Sequence, residues 1–268
     1  MTIAAFLPPA NAEYVCRTLV ANDVVLATSW SDLESHLSNP ATSFALVDPS
    51  AEGDMNIAAV SRMLKHHRDT PVAAYVPLSC ENLKAVLYLS ARGLREVFLH
   101  PLIDDGKQLS AFARRLAGHQ LAYKFLGLFE TRLVCLHPRL VSALTDLFER
   151  PHRYETAGDI GREGHVSTKC VYRIFQKAGL GTPRRFVTAA KLLRGYAYLR
   201  DGNELIETVS KEVGYGGART FSSQVFEIFG CSPVRLRKEA NFTEVVTQLV
   251  EWVQKPDRRS DASTSSSQ

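Results

Sequence analysis

Short apolar runs alternate with segments of helical periodicity over the first 120 residues of the chain. Apolar runs of this kind, bounded by turn-forming residues, are typical of strands that are buried on both faces of a sheet. The alternation predicts a parallel sheet covered by helices on both faces, which is the α/β doubly wound fold class. The predicted strands are 3–7, 24–27, 43–47, 71–76 and 96–99, and the predicted helices are 13–22, one capped near Ser31, 56–67, 81–91 and 105–117.

The rest of the chain keeps a helical spacing of apolar residues, which predicts an all-α second half. Within it, residues 156–238 contain one helix-turn-helix pattern twice, at a constant offset of 50 positions. Each copy has a turn glycine, an apolar pair four residues apart on one helix face, and a Ser/Thr-Pro pair that starts the next helix. The matched residues are Gly164 and Gly214, Val171 and Phe221, Phe175 and Val225, Thr182-Pro183 and Ser232-Pro233, and Phe186 and Leu236.

The first copy predicts a recognition helix that is capped by Ser167 and runs to about residue 177. Val171, Ile174 and Phe175 are predicted to face the protein core, while the N-terminal residues of the opposite face enter the major groove of DNA. Arginine and lysine there bond guanine or phosphate, and tyrosine contacts the DNA backbone or a base edge. The outward residues are Thr168, Lys169, Tyr172 and Arg173, with Arg173 the leading candidate for guanine.

A linker helix, 184–199, joins the two copies and is predicted to hold both recognition helices on one face of DNA, about 34 Å apart. Its basic residues Arg184, Arg185, Lys191 and Arg194 are predicted to stay in solvent or to reach phosphates. In the second copy, helix 206–213 leads through a glycine-rich turn to a recognition helix over 218–229. The outward residues of that helix are Ala218, Arg219, Ser222 and Ser223.

The charge is distributed unevenly between the two halves. Residues 1–120 contain ten basic and twelve acidic residues, whereas residues 151–238 contain fifteen basic and eight acidic residues. Because neutralisation of phosphates supplies most non-specific affinity for DNA, a basic excess that coincides with the repeated motif favours a DNA-binding function.

Several other classes of protein do not fit the sequence. No apolar run approaches the ~20 residues of a membrane span, and no secretion signal is recognised at the N-terminus. The five cysteines are scattered without a Cys-x-x-Cys pair, which favours reduced thiols in a cytosolic protein. No phosphate loop, nucleophile elbow or zinc motif occurs, so neither an enzyme nor a cofactor is expected, and His66-His67 is read as a solvated pair rather than a metal site.

Residues 156–238 resemble the DNA-binding domain of AraC/XylS-type bacterial transcription regulators. The resemblance rests on Tyr172-Arg173-Ile174-Phe175, Gly181-Thr182-Pro183, Lys191-Leu192-Leu193, Val213-Gly214-Tyr215, Phe221, Phe229-Gly230-Cys231-Ser232-Pro233 and Arg237. It implies seven helices, two helix-turn-helix units and activation through contact with RNA polymerase. The family's base-contacting positions fall on Lys169, Tyr172, Arg173, Ala218, Arg219 and Ser223. The chain departs from the family pattern at Gly217, Ser223 and Val225.

The first 120 residues resemble a response-regulator receiver domain. Asp48 ends the third predicted strand, where that family keeps its phospho-acceptor, and Pro71-Val72 opens the fourth. The chemistry of phosphorylation is incomplete, since Mg²⁺ needs several carboxylates and the phosphoryl group needs a cation. Residues 7–10 supply no carboxylate, Val76 replaces the switch hydroxyl, and His100-Pro101 stands where the family has Lys-Pro. Asp48 is therefore predicted to cap the next loop, in a degenerate receiver.

The predicted domains are a receiver-like input or dimerisation domain (1–120), a helical connector (121–139) and a double helix-turn-helix domain (140–240). They are followed by an extra helix (241–254) that packs on the second domain and a disordered tail (255–268). The predicted function is a cytoplasmic, nucleoid-associated transcription regulator that binds double-stranded DNA, forms a homodimer and answers to a protein or small-ligand effector. Two alternatives stay open: a response regulator phosphorylated on Asp48, and a protein–protein adaptor that has lost DNA reading.

Overall fold

The computed structural model describes residues 2–20, 22–39, 41–68, 70–100, 106–200 and 204–255. The chain divides into two compact units. Unit 1 contains Met1–Gln120 with Ala197–Glu204, and unit 2 contains Leu121–Tyr196 with Leu205–Gln268. The predicted disorder of the C-terminal tail falls, from residue 256 onward, outside the described residues.

Unit 1 is built on a sheet of five parallel strands in the order β2-β1-β3-β4-β5. This is the flavodoxin-like arrangement of the doubly wound class, which receiver domains share, so the predicted fold class is confirmed. The central strand β3 is buried at all six residues, while the edge strands β2 and β5 are partly exposed. The strands are β1 (Thr2–Phe6), β2 (Asp23–Leu26), β3 (Thr42–Val47), β4 (Val72–Pro77) and β5 (Glu96–His100).

The described helices of unit 1 cover both faces of the sheet, because successive strand residues point to opposite sides. Ile3 and Ala5 belong to the core beneath the first and last helices, and Ala4 and Phe6 belong to the core beneath the other three. These helices are α1 (Pro9–Thr18), α2 (Trp30–Leu37), α3 (Ile57–His66), α4 (Cys80–Ser90) and α5 (Lys107–Gly127).

Two helices differ from their predicted bounds by more than two residues, for identifiable reasons. Helix α1 begins four residues earlier than predicted because Pro9 occupies its first turn, where the missing N–H of proline costs nothing. Helix α5 was predicted to end at residue 117 but runs to Gly127, so the predicted connector begins inside a continuous helix. The predicted start at residue 105 lies outside the described residues.

Unit 2 is all-α over its described residues, as predicted. The resemblance implies seven helices, and seven of the described helices lie between residues 138 and 239. The helices are α6 (Glu130–Leu133), α7 (Pro138–Glu149), α8 (Ala157–Glu163), α9 (Thr168–Ala178), α10 (Pro183–Arg200), α11 (Ile206–Glu212), α12 (Ala218–Phe229), α13 (Pro233–Glu239) and α14 (Phe242–Gln254), with a 3-10 turn over Pro151–Arg153.

An aromatic cluster forms the core around the first helix-turn-helix. Phe186 of α10 contacts Phe175 of α9 at a centroid distance of 5.1 Å in an edge-on arrangement. Phe125, Phe129 and Phe148 lie at centroid distances of 5.8, 5.3 and 6.2 Å from Phe186. Because all five rings are almost fully buried, this cluster anchors α9 by its inner face.

The described part of the chain contains no helix that is both long enough and apolar enough to span a membrane. The same residues contain no group of three or more histidine, cysteine, aspartate or glutamate side chains that could hold a metal ion.

An ion-pair network in unit 1 makes its stability depend on pH. One oxygen of Glu96 lies 3.0 Å from Nη2 of Arg115, and the other lies 3.3 Å from Nδ1 of His119. Burial raises the pKa of Glu96, but the His119 hydrogen bond and the charge of Arg115 outweigh it and lower that pKa overall. The stabilisation is therefore complete above the unfolded-state pKa of about 4.3 and is lost as the pH falls through the folded-state pKa.

We expect Glu96→Gln to lower the free energy of unfolding by about 1 kcal/mol at pH 7, because the charged acceptor is lost. The difference from wild type should shrink as the pH falls from about 4.3 through the lower folded-state pKa, below which Glu96 is protonated in both states. Denaturant unfolding at several pH values measures both effects. Glu13→Gln, an exposed carboxylate on α1, is the matched control, and a difference from wild type that is independent of pH would contradict this account.

Candidate nucleic-acid interface

The first helix-turn-helix begins with a capping box at the start of α8. The Thr156 side chain accepts from the N–H of Gly158 at 3.2 Å, and the Asp159 carboxylate accepts from the N–H of Thr156 at 2.8 Å. Burial raises the pKa of Asp159, but its hydrogen bonds from Thr156 and Glu155 lower that pKa overall. Together these contacts satisfy N–H groups that the first turn of a helix leaves unpaired.

Two glycines allow close contacts near the end of α8, one with the turn that follows it and one with α7. A side chain at Gly161 would lie 2.6 Å from the carbonyl oxygen of Val166, and one at Gly164 would lie 3.1 Å from a methyl group of Leu140. The chain then turns through His165, whose φ is 54°. Ser167 caps α9 by accepting from the N–H of Cys170 at 3.3 Å, as the sequence predicted.

The outer face of α9 presents the four residues that the sequence singled out. Val171 and Phe175 are fully buried, whereas Ile174, predicted to face inward with them, is only half-buried. The guanidinium of Arg173 lies 3.6 Å from Sγ of Cys170, on the exposed side of the helix. The exposed residues are Thr168, Lys169, Tyr172 and Arg173.

The linker helix α10 corrects one prediction directly. Lys191, predicted to stay in solvent or to reach phosphate, is only 8% exposed, and its Nζ donates to the Gly214 carbonyl at 2.8 Å. Burial lowers the pKa of this lysine. Of the other predicted phosphate contacts, Arg184 is exposed, while Arg185 and Arg194 are half-buried. The helical periodicity did not predict the burial of Lys191, because its hydrogen-bond partner lies 23 residues away in the sequence.

The second helix-turn-helix positions α12 with the same inner residues but with a different cap. Phe221 and Val225 are buried, as predicted from the repeat. Gly217 precedes α12 without a capping side chain, and the Glu207 carboxylate on α11 accepts instead from the N–H of Ala218 at 3.2 Å. On the outer face, Arg219 and Ser223 are exposed, while Ala218 and Ser222 are half-buried.

The two recognition helices differ in charge and in exposed chemistry. Helix α9 carries three basic residues and no acidic one, whereas α12 carries one of each. Phe226 on α12 is 63% exposed and was not among the residues predicted to face DNA. Its position one residue after the buried Val225 is the signal that places it outside the core. The outer face of α9 is therefore the more strongly cationic of the two.

The C-terminal helix α14 packs on unit 2 along the apolar stripe predicted from the sequence, Val245, Val246, Leu249 and Val253. It contacts α12. It also approaches Gly181, where an added side chain would meet the Val253 carbonyl oxygen. Arg185 donates to the carbonyl oxygens of Val253 and Lys255, so this arginine binds α14 rather than standing free for phosphate.

Asp48 lies at the end of β3 and is 1% exposed. One carboxylate oxygen accepts from the backbone N–H of Ser50 at 2.8 Å and from its hydroxyl group at 2.6 Å. The Asp48 side chain thus makes an Asx-type turn and caps the loop that follows the strand. On the neighbouring strands, Leu7 is buried and follows β1, and Val76 is buried within β4.

Comparison with known proteins finds a family match within the all-α unit. A family model described as a helix-turn-helix domain matches residues 160–239, which span α9 to α13 and most of α8. No curated protein matches the chain. Two solved structures align with it: NtrX from Brucella abortus in complex with ADP, and full-length FixJ from B. japonicum.

Both structural alignments are distant. NtrX aligns at 14% identity and a TM-score of 0.42, over 61% of this chain and 40% of its own. FixJ aligns at 14% identity and a TM-score of 0.36, over 72% of this chain and 96% of its own. The aligned part of this chain thus spans less than half the length of NtrX.

The fold and the paired recognition helices define a helix-turn-helix DNA-binding protein with an α/β doubly wound unit. More narrowly, residues 160–239 are a helix-turn-helix domain of the AraC type.

Proposed function

We propose that the protein is a bacterial transcription regulator that reads DNA through both helix-turn-helix units. The observation that carries the proposal is the outer face of α9, where Lys169, Tyr172 and Arg173 are exposed around a buried apolar face. A helix held by its inner face with arginine, lysine and tyrosine near its N-terminal end has the form that enters a major groove. RNA polymerase and an effector that acts through unit 1 are its proposed partners, and the nucleoid is its proposed location.

Within this proposal, the first helix-turn-helix supplies most of the affinity for DNA. Lys169, Arg173 and Lys177 give α9 three positive charges that face phosphates and guanine edges. Helix α12 contributes Arg219, together with the small residues Ser222 and Ser223 and the exposed Phe226. Arg219 is therefore the proposed base-reading residue of the second helix-turn-helix. Ala218 and the two serines line the proposed contact between α12 and DNA.

Selection of fragmented genomic DNA on the full-length protein near 0.15 M salt, followed by sequencing, tests this function. A shared motif that spans about two helical turns supports paired reading by α9 and α12. The absence of any enriched motif overturns sequence-specific DNA reading and favours the protein–protein adaptor, for which the neutral α12 and its exposed Phe226 are the supporting features.

We expect Arg173→Ala to weaken binding to the selected site by about 1–3 kcal/mol, because one bidentate contact to guanine is worth that much. Lys177→Ala is the matched control, since Lys177 is also exposed on α9 but lies near its C-terminal end. The control should weaken all sequences about equally and reduce the salt dependence of binding. Titrations by fluorescence anisotropy on the selected and a scrambled site measure both effects, and equal losses for the two variants would refute the assignment of Arg173.

Unit 1 is proposed to work without phosphorylation of Asp48. The carboxylate oxygen that accepts from Ser50 is buried, and residues 7–10 after β1 add no carboxylate that would help to hold Mg²⁺. Val76, in the place of a hydroxyl residue, offers no hydrogen bond to a phosphoryl group. The carboxylate is therefore assigned to holding the loop after β3.

We expect small phosphodonors with Mg²⁺ to leave the protein unmodified, as measured by intact mass under conditions that preserve acyl phosphates. Asp48→Asn should lower the free energy of unfolding by about 1–2 kcal/mol, because the acceptor of two hydrogen bonds becomes neutral. Glu52→Gln, a change at an exposed carboxylate in the same loop, is the control. A stoichiometric, acid-labile adduct that disappears in Asp48→Asn would instead identify a phosphorylated response regulator.

A homodimer through unit 1 is proposed to join two copies of the DNA-binding unit. Leu83, Leu87 and Tyr88 on α4 are 38%, 72% and 47% exposed. Glu81 in the first turn of α4 and Arg92 just beyond its end are exposed and oppositely charged. Two antiparallel copies of α4 would bury the apolar side chains and place opposite charges at both ends, which is the requirement of a two-fold interface.

We expect Leu87→Glu to shift the full-length protein from dimer to monomer, because like charges would meet at the centre of a two-fold interface. Light scattering coupled to size-exclusion chromatography measures the mass. Val20→Glu, at a position that is 78% exposed next to the end of α1, is the matched control and should leave the dimer intact. A wild-type protein that stays monomeric at tens of micromolar, or a Leu87→Glu variant that stays dimeric, would contradict this interface.

A further inference from the structure

Lys191 is a buried cation at the centre of the linker helix α10. Its side chain is almost enclosed, and its Nζ donates to the backbone carbonyl of Gly214 at 2.8 Å. A buried ammonium group is costly to remove from water, so it persists only where specific partners hold it. The partner here is the turn between α11 and α12, which sets where the second recognition helix begins.

The second turn contacts the Lys191 side chain through an aromatic ring as well. Its Nζ lies 5.5 Å from the centre of the Tyr215 ring, which belongs to the second turn. Burial lowers the pKa of Lys191, and the negative charges of Glu155 and Asp159, near the start of α8, offset that shift only in part. The ammonium group thus lies against both the Gly214 carbonyl and the Tyr215 ring of the second turn.

Gly214 is fixed from a second side as well. It adopts φ 82°, in the left-handed region that favours glycine. A side chain at this position would lie 2.9 Å from Cα of His152 and 3.4 Å from Nζ of Lys191. The second turn therefore packs on the 3-10 turn that precedes α8 and on the ammonium group of α10, so its position is set by residues outside its own helices.

We propose that Lys191 is a positioning residue that fixes α12 for DNA reading relative to the first helix-turn-helix, and this rests on the proposed DNA-binding function. The Nζ hydrogen bond to Gly214 holds the second turn, and Gly214 itself packs on His152, just before the first helix-turn-helix. Without the ammonium group, the second turn loses its anchor on α10, and Arg219 no longer meets a defined base when α9 is bound. Lys191 itself does not contact DNA.

The test is a double-mutant cycle on the full-length protein with the selected DNA site. Lys191→Met removes the charge and the hydrogen bond while keeping much of the side-chain volume. Arg219→Ala reports reading by α12, and Arg173→Ala reports reading by α9. Each is measured in the wild-type and in the Lys191→Met background, because only coupled residues give non-additive changes in affinity.

In the wild-type background we expect Arg219→Ala to weaken binding about tenfold, as for loss of one base contact. In the Lys191→Met background the same change should weaken binding by about twofold or less. The Arg173→Ala effect should be the same in both backgrounds. An Arg219→Ala effect of equal size in both backgrounds, or no effect in the wild-type background, overturns the positioning role.

Lys191→Arg and amide hydrogen exchange separate positioning from folding. Arginine keeps a charged donor, so Lys191→Arg should restore most of the coupling to Arg219. Without DNA, Lys191→Met should exchange faster than wild type over residues 210–222 and equally over residues 167–178. Two results would assign Lys191 to general stability and reject the inference. The first is exchange in Lys191→Met that is faster throughout the protein. The second is complete unfolding of Lys191→Met together with a Lys191→Arg variant that also unfolds.

The two proposals fail in distinguishable ways. If the wild-type protein shows no site-specific binding, the DNA-reading function falls and the positioning role falls with it. If the wild-type protein binds its site and Arg173→Ala weakens that binding, the DNA-reading function stands, and the cycle at Lys191 and Arg219 then decides the positioning role alone.

Discussion

The packing of Phe175 against Phe186 is the contact on which the proposed DNA-reading face depends. These rings join α9 to α10 within a cluster of five buried phenylalanines, so the inner face of α9 is fixed. Side chains on a helix point in directions set by the 3.6-residue period, and fixing Phe175 and Val171 inward directs Lys169, Tyr172 and Arg173 outward. Aromatic packing in the core thus determines which polar residues are available to a ligand, although none of the rings touches it.

The two helix-turn-helix units share this scheme but divide the task unequally. The buried residues Phe221 and Val225 fix the orientation of α12. Val171 and Phe175 do the same for α9. Their helix starts differ, because Ser167 caps α9 with a neutral hydroxyl while the Glu207 carboxylate accepts from the first N–H of α12. A carboxylate there occupies the positive end of the helix dipole, which otherwise favours phosphate. Helix α9 therefore offers the more cationic surface, while the start of α12 is already occupied by a carboxylate.

Local pattern predicted much of this structure, and long-range contacts account for most of what it missed. Alternating apolar runs predicted five parallel strands, and the repeat predicted the Ser167 cap and the bounds of α12, because each depends on residues close in sequence. The length of α5, the burial of Lys191 and the binding of Arg185 to α14 depend on partners that only the folded chain brings near. The roles of individual residues in DNA contact remain predictions.

The linker helix shows why charge counted along a sequence is a poor measure of charge offered to DNA. Of its four internal basic residues, Arg184 is exposed, Lys191 holds a carbonyl of the second turn, and Arg185 holds the end of α14. Cations used in this way keep their charge but not their access to phosphate, so they contribute little to counterion release. They fix instead the positions of the second turn and of α14, and in the proposed function that geometry would produce specificity where total charge produces only attraction.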